Sequence, residues 1–82
     1  MKQKTHVVSI VINDVETAFH PVNELLHQYG DYIKLRVGYP MHERNVSVIF
    51  VVLEMTLDEI GAFSGKLGQL ESVKVKSITL SI

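Results

Sequence analysis

Cysteine and tryptophan are absent from the 82-residue chain, and proline occurs only twice. Without cysteine, the chain can form no disulfide, no thiolate metal site and no cysteine-ligated iron–sulfur cluster. No apolar run approaches the ~18 residues of a membrane-spanning helix. The residues that follow Lys2 and Lys4 also contain no apolar stretch of signal-peptide length. We therefore expect a soluble, cytoplasmic protein that does not associate with membranes.

The chain also lacks an excess of positive charge. Eight Lys and Arg residues against nine Asp and Glu residues give a net charge of −1 and a pI near 6.4. Nucleic-acid-binding domains need a basic surface, so direct binding to nucleic acid is not expected. The 46% hydrophobic content is typical of a folded globular domain. Residues 1–82 are enough for one domain with a thin core, to which oligomerisation would add buried surface.

The most apolar stretch is Val46–Leu53, in which Ser47 carries the only polar side chain. Successive side chains of a strand point to opposite faces, so this stretch offers hydrophobic surface on both. Its β-branched residues favour the extended conformation. Val7–Ile12 has the same character. Both stretches are predicted to be central strands, each buried on two sides.

The residues after Asn13 predict an amphipathic helix. Asp14 suits its N-cap, and Gly30 suits the left-handed position just past its end. Pro21 removes one backbone hydrogen bond, which predicts either a kink or a helix whose regular part starts near His20. The apolar positions at helical spacing are Val15, Ala18, Phe19, Val22, Leu25, Leu26 and Tyr29.

A hairpin is predicted next. Tyr32–Tyr39 alternates between apolar and other residues, which indicates a half-exposed edge strand that Pro40 ends. A polar loop at residues 41–45 then leads into the central strand. The residues expected on the apolar side of the edge strand are Ile33, Leu35, Val37 and Tyr39.

A second helix and a last strand complete the chain. Thr56 and Glu59 have the spacing of a capping box, and Gly68 is expected to end the helix. Gly61 and Ser64 are expected to allow close packing on the sheet. Its predicted buried stripe is Leu57, Ile60, Phe63 and Leu67. In the last strand, residues 73–82, the apolar positions change parity, which indicates a bulge or a tail that packs elsewhere.

The predicted order of elements is βαββαβ. Right-handed crossovers place both helices on one face of a four-stranded antiparallel sheet, so the fold class is α+β, ferredoxin-like, with the first and third strands in the middle. Because both middle strands are apolar on both faces, the second face needs a cover, and a second copy of the chain commonly provides it. The sequence therefore predicts a homodimer or tetramer.

Three stretches carry a resemblance to a known family: Val22–His27 in the first helix, Leu35–Pro40 in the second strand and Ser64–Gln69 in the second helix. In this combination the chain resembles the small iron-only hydrogenase system regulator family, from Val8 to Val75. The resemblance implies an ACT-like fold, similar also to the C-terminal domain of the nickel-responsive repressor. It further implies pairing through the sheet and a regulatory role near hydrogenase maturation.

Two features depart from those related families. Amino-acid-binding ACT domains usually carry a glycine between the first strand and the first helix, whereas the turn here contains Asn13, Asp14 and Glu16 and no glycine. The nickel repressor uses histidines and a cysteine held on strands. This chain has no cysteine, and His6 is the only histidine at a predicted strand. Neither mode of binding is therefore expected.

Positive charge and an aromatic ring gather near the end of the second strand and in the loop that follows it. They suit a small anionic effector or an acidic protein partner, and the alternative is an edge strand protected by charge. The likeness to ACT domains implies a site where this strand end meets the first turn of a neighbouring subunit. The candidate ligand-binding residues are Asn13, Asp14, Arg36, Gly38, Tyr39, His42 and Arg44.

One stripe of the first helix carries Glu16, His20, Asn23 and His27. His and Glu side chains one turn apart can bind a divalent metal, and a solvated helix face is the alternative. We therefore assign no metal site but retain Glu16, His20 and His27 as candidates. The cofactor is unknown.

No catalytic residue can be named. Gly65 and Lys66 do not fit a phosphate-binding loop, because Gly61 is one residue too close and Leu67 replaces the required hydroxyl. No cysteine nucleophile exists, and no Ser/His/Asp set can be assembled. We predict a non-enzymatic regulatory, ligand-sensing module that acts as a homo-oligomer on a protein partner. A structural oligomerisation module without ligand and a transition-metal sensor remain the alternatives.

Overall fold

A computed structural model describes residues 2–82 of the chain. The order of its main elements is βαββαβ, as predicted. Their bounds are β1 Lys4–Ile12, α1 Val15–Gln28, β2 Ile33–Met41, β3 Val46–Met55, α2 Leu57–Gly68 and β4 Val73–Thr79. Short 3₁₀ turns lie at Gly30–Tyr32 and His42–Arg44. No helix within residues 2–82 is long and apolar enough to cross a membrane.

The four strands form one antiparallel sheet in the order β2-β3-β1-β4. This order confirms the α+β ferredoxin-like fold and the central positions of β1 and β3. Ile10 of β1 lies opposite Ile49 on one side and Val75 on the other. Side chains of this parity lie under α1 and α2, on the side that we call the helix face. The opposite side is called the open face.

The hydrophobic core lies between the helix face and the two helices. The sheet contributes Val8, Ile10, Ile12, Ile49, Val51, Leu53, Met55 and Val73. The helices contribute Ala18, Val22, Leu26, Ile60, Phe63 and Leu67. The predicted stripe of α2 is thus confirmed at three positions, whereas Leu57 at the first position of α2 is 56% exposed.

The first strand begins earlier than predicted and includes His6, which is fully buried. Its Nε2 donates to the carbonyl oxygen of Met55 at 2.9 Å, because a carbonyl oxygen can only accept. In the neutral imidazole, Nδ1 then accepts from the Thr79 hydroxyl, also at 2.9 Å. Through these two bonds the imidazole links β1, β3 and β4.

Helix α1 runs without interruption from Val15, although it contains Pro21. The alternative that its regular part starts near His20 is therefore wrong. Gly30 begins a 3₁₀ turn and has no positive φ, so the predicted left-handed end is also wrong. Pro40 does not end β2, because an edge strand tolerates a residue without an amide hydrogen.

A register shift between Ile33 and Leu35 changes the faces of β2. Ile33 lies opposite Leu53, a helix-face residue, whereas Leu35 lies opposite Val52 on the open face. The prediction that both residues share one side is therefore wrong. Such a bulge places an unpaired residue in one strand and reverses the alternation beyond it. As a result, Arg36 belongs to the helix face.

The second helix begins with the predicted capping box. Thr56 Oγ1 accepts from the Glu59 amide at 3.2 Å, and Glu59 Oε1 accepts from the Thr56 amide at 2.8 Å. Gly61 is exposed, and a Cβ at this position would have no atom within 4 Å apart from its chain neighbours and the backbone of its own helix. Close packing of Gly61 on the sheet is therefore a wrong prediction. Ser64 Oγ is buried and has no hydrogen-bond partner within residues 2–82.

The last strand pairs with β1 without a bulge from Val73 to Thr79. Val73 and Val75 lie on the helix face, while Ile78 lies opposite Val7 on the open face. The change of parity therefore reflects apolar residues on both sides of β4. Residues 80–82 lie beyond the strand, and the Leu80 amide donates to the Thr5 carbonyl at 2.8 Å.

Candidate functional site

A groove of about 680 Å³ lies between α1 and the edge strand β2. It exists because α1 packs over the centre of the sheet and leaves the helix face of β2 uncovered. Leu26 is buried at its base, and polar side chains form its walls. The lining residues are His20, Asn23, Glu24, Leu26, His27, Gln28, Gly30, Ile33 and Arg36. A volume of this size suits a small ligand.

Arg36 is the central charged residue of the groove. It lies opposite Val51, whose side chain is buried on the helix face, so the guanidinium is directed to the same side as α1. Its Nη2 donates to Asn23 Oδ1 at 2.5 Å. Within residues 2–82, no carboxylate lies close enough to form an ion pair with it. The guanidinium is thus oriented by a neutral amide and keeps its charge available.

His20 and Glu24 lie one turn apart on the α1 side of the groove. Their Nε2 and Oε1 atoms are 3.7 Å apart, and both side chains are mostly exposed. Across residues 2–82, no three His, Asp or Glu side chains are grouped closely enough to hold a metal ion. The candidates Glu16, His20 and His27 therefore do not form such a group in this structure.

A second candidate region lies where the hairpin between β2 and β3 meets the start of α1. Asn45, in the left-handed conformation at φ 56°, donates from Nδ2 to Asp14 Oδ1 at 3.0 Å. Its carbonyl accepts from the Val15 amide at 3.2 Å. Asp14 occupies the N-cap position as predicted, but its side chain binds the hairpin and makes no capping hydrogen bond. The hairpin is thus fastened to the helix of its own chain.

Two smaller cavities flank this hairpin. One, of about 450 Å³, is lined by the side chains of Tyr39, Met41, His42, Glu43 and Arg44. The other, of about 250 Å³, is more apolar and includes Val15, Phe19, Pro40 and Met41. These cavities bring Tyr39, His42 and Arg44 together at the hairpin.

The structure therefore divides the predicted ligand-binding residues among several places. Arg36 lies in the groove, and Gly38 lies on the helix face of β2, opposite Ile49. Tyr39, His42 and Arg44 lie at the hairpin, which contacts Asp14. The Asn13 amide donates to the Ser72 carbonyl at 2.7 Å, which ties this residue to the segment before β4.

Sequence reasoning missed several residues of the groove. Glu24 lies four positions after His20, a spacing that could have identified this pair. Gln28, Gly30 and Ile33 gave no comparable signal. The Arg36–Asn23 contact depends on the bulge in β2, which is not visible in the alternation of the sequence.

Tyr32, in the turn after α1, lies close enough to Glu59 at the start of α2 to shift the pKa of both groups. A hydrogen bond to the Glu59 carboxylate raises the pKa of the Tyr32 hydroxyl above its ordinary value of 10.0. The pKa of Glu59 is lowered from 4.5, first by the hydrogen bond from the Thr56 backbone and also by its bond with Tyr32.

The open face of the sheet is apolar along its centre and along β2. Phe50 is 44% exposed, and Leu35, Val37 and Tyr39 are each about half exposed. Val48 and Val52 of β3 lie opposite Val11 and Val7 of β1 on this same face. Lys74 and Lys76 extend the open face along β4. The predicted two-sided apolar character of both central strands is therefore confirmed.

Comparisons with known proteins relate nearly the whole chain to one family. The sequence profile of the TM1266-like family, described as "Iron-only hydrogenase system regulator, putative", matches residues 4–77. The structure of uncharacterized protein TM1266 from Thermotoga maritima is similar, with 48% identity, coverage of 98% of this chain and 100% of that chain, and a TM-score of 0.93. No curated protein matches the chain.

A more distant likeness concerns the fold alone. The crystal structure of an unknown protein from Galdieria sulphuraria matches with 12% identity and a TM-score of 0.72, over 99% of this chain and 47% of that chain. The family profile and the Thermotoga structure both extend over nearly all of the described elements. The chain belongs to the TM1266-like family of iron-only hydrogenase system regulators.

Proposed function

We propose that the chain is a non-enzymatic, ligand-sensing regulator that works as a homodimer or tetramer assembled through the open face of its sheet. The observation that carries this proposal is the apolar character of that face, with Phe50, Val37 and Leu35 partly exposed to solvent. The family description supplies the regulatory role in the iron-only hydrogenase system.

The size of the open face supports assembly. Three strands of nine or ten residues and the seven-residue β4, at ordinary strand spacing, make the open face roughly 30 by 19 Å. Two such faces in contact would bury roughly 1000 Å², which is about the minimum for a biological interface.

Sensing is supported by the double role of β2. Arg36 lies in the groove, while its neighbours Leu35 and Val37 lie on the open face. A ligand that shifts β2 would therefore act on the groove and the interface together. Differential binding to two subunit arrangements would then pass the signal to a protein partner.

Assembly and sensing are separable by substitution. Val37→Lys introduces a charge on the open face and is expected to give a monomer by size-exclusion chromatography with light scattering. In a cell that has the iron-only hydrogenase, deletion of the gene should change hydrogenase abundance or maturation. The Val37→Lys variant should fail to restore it. Unchanged hydrogenase after deletion would refute the regulatory role.

A structural oligomerisation module without ligand is favoured by the same open face. The substitution Arg36→Glu distinguishes the two functions. If the chain senses a ligand, Arg36→Glu should abolish effector binding. If the chain is only a structural module, the substitution should leave both assembly and the hydrogenase level unchanged. For a metal sensor, replacement of His20 and His27 by alanine should remove the response to metal.

A further inference from the structure

The groove beside α1 has the composition of a site for a small anion. Its base is apolar, with Leu26 buried and Ile33 half-buried, while its walls carry nitrogen donors from α1 and β2. Arg36 supplies the formal positive charge, and His20 and His27 line the same space. An apolar base with a few convergent polar groups is the usual arrangement of small-molecule sites.

The guanidinium of Arg36 is placed to bind a ligand. Asn23 Oδ1 accepts one of its hydrogen bonds and fixes its direction. Arginine has five N–H donors in a planar fork, so further donors remain after this bond. Glu24 also lines the groove, and its Oε1 lies 3.7 Å from Nε2 of His20.

The geometry of arginine selects the class of ligand. Its planar fork matches two oxygen atoms of a carboxylate or of a phosphate, and such charge-assisted bonds are about twice as strong as neutral ones. We infer that the groove binds a small organic anion, whose carboxylate or phosphate group is held by Arg36. That this anion is the effector which the protein senses rests on the proposed function.

The site lies within one subunit. Its lining residues come from α1, the turn that follows it and β2 of the same chain. Binding therefore does not require a second copy, although it can influence one through Leu35 and Val37 on the other side of β2. This differs from the predicted site at the hairpin of a neighbouring subunit.

Nuclear magnetic resonance of the ¹⁵N-labelled chain tests the inference directly. Sodium phosphate and sodium succinate are the probes, with sodium chloride at matched ionic strength as the reference. We expect saturable shifts at Asn23, Gly30 and Arg36 with at least one probe. The probe that binds more tightly identifies the group as phosphate or carboxylate.

Three variants make the test specific. Arg36→Gln should weaken binding at least about tenfold, since it removes the charge-assisted hydrogen bonds. Asn23→Ala should weaken binding less, because the charge remains but its orientation is lost. Lys34→Gln is the matched control, since it removes the same charge from an exposed residue of β2 that does not line the groove. It should bind as the native chain does.

Absence of saturable shifts with both probes would overturn the inference, as would equal binding by the native chain and the Arg36→Gln variant. Saturable shifts confined to Tyr39, His42 and Arg44 would overturn it too. Light scattering on the same samples distinguishes failure of the anion site from failure of the proposed assembly. If the native chain is an oligomer but binds neither probe, the anion site alone is refuted. If the native chain is a monomer that binds a probe, the assembly alone is refuted.

Discussion

Replacement of Phe50 by alanine should weaken association of the subunits strongly. Phe50 lies at the centre of the open face, opposite Val37 in β2 and Ser9 in β1, and is 44% exposed. Since the accessible surface of a phenylalanine is about 200 Å², about 90 Å² of Phe50 remains for a partner to cover. Burial of that apolar area stabilises the interface by about 2 kcal/mol. In a two-fold interface the loss occurs twice, so the dissociation constant should rise roughly a thousandfold.

Sedimentation equilibrium over nanomolar to micromolar concentrations would measure this change. Phe19→Ala is the matched control, because Phe19 is 40% exposed but lies on α1, away from the open face. Urea unfolding of each variant would show that it is folded at the concentrations used. Equal dissociation constants for the native chain and Phe50→Ala would refute the placement of the interface, as would an equal effect of both substitutions.

The remaining predictions concern stability. Thr56→Ala should lower the free energy of unfolding by about 1 kcal/mol through loss of the N-cap bond, and no change in urea unfolding would contradict that role. Gly61→Ala should raise the free energy of unfolding by up to about 1 kcal/mol, because alanine favours the helix and its Cβ has free space. A lower free energy of unfolding, measured at a protein concentration below the dissociation constant of the oligomer, would show that α2 is misplaced. The depressed pKa of Glu59 contributes stability above about pH 4.5, which is lost as the pH falls through the folded value. The raised pKa of Tyr32 contributes stability below pH 10, which is lost as the pH rises through its folded value. Tyr32→Phe should therefore reduce the alkaline loss of stability, and an identical pH profile of unfolding would contradict the placement of Tyr32 beside Glu59.

The fold could be predicted because its strongest signals are local. Residues 46–53 and 7–12 are apolar on both faces, a pattern that is typical of central strands. The structure places both segments in the centre of the sheet. The capping box of Thr56 and Glu59 depends on residues three apart, so it was visible without tertiary information.

The features that were missed depend on contacts between distant segments. The bulge between Ile33 and Leu35 is a property of the pairing of β2 with β3, and the alternation of β2 alone cannot show it. Because this bulge decides that Arg36 lies beside α1, the groove could not be assembled from the sequence. His6 is a related case, since its two hydrogen-bond partners lie 49 and 73 positions away.

Asp14 illustrates a correct position with a different role. Its place before α1 predicted a capping side chain, and the structure does place it at the N-cap. The side chain instead accepts from Asn45, 31 residues further along the chain. A local preference was thus replaced by a tertiary hydrogen bond that holds the hairpin against the helix.

Native mass spectrometry of the untagged chain at low micromolar concentration would test assembly through the open face. It reports the number of subunits and any retained ligand in one measurement. We expect an even-numbered oligomer, held together through the open face around Phe50. A monomer at this concentration would refute assembly through this face, because its apolar side chains would then have no partner.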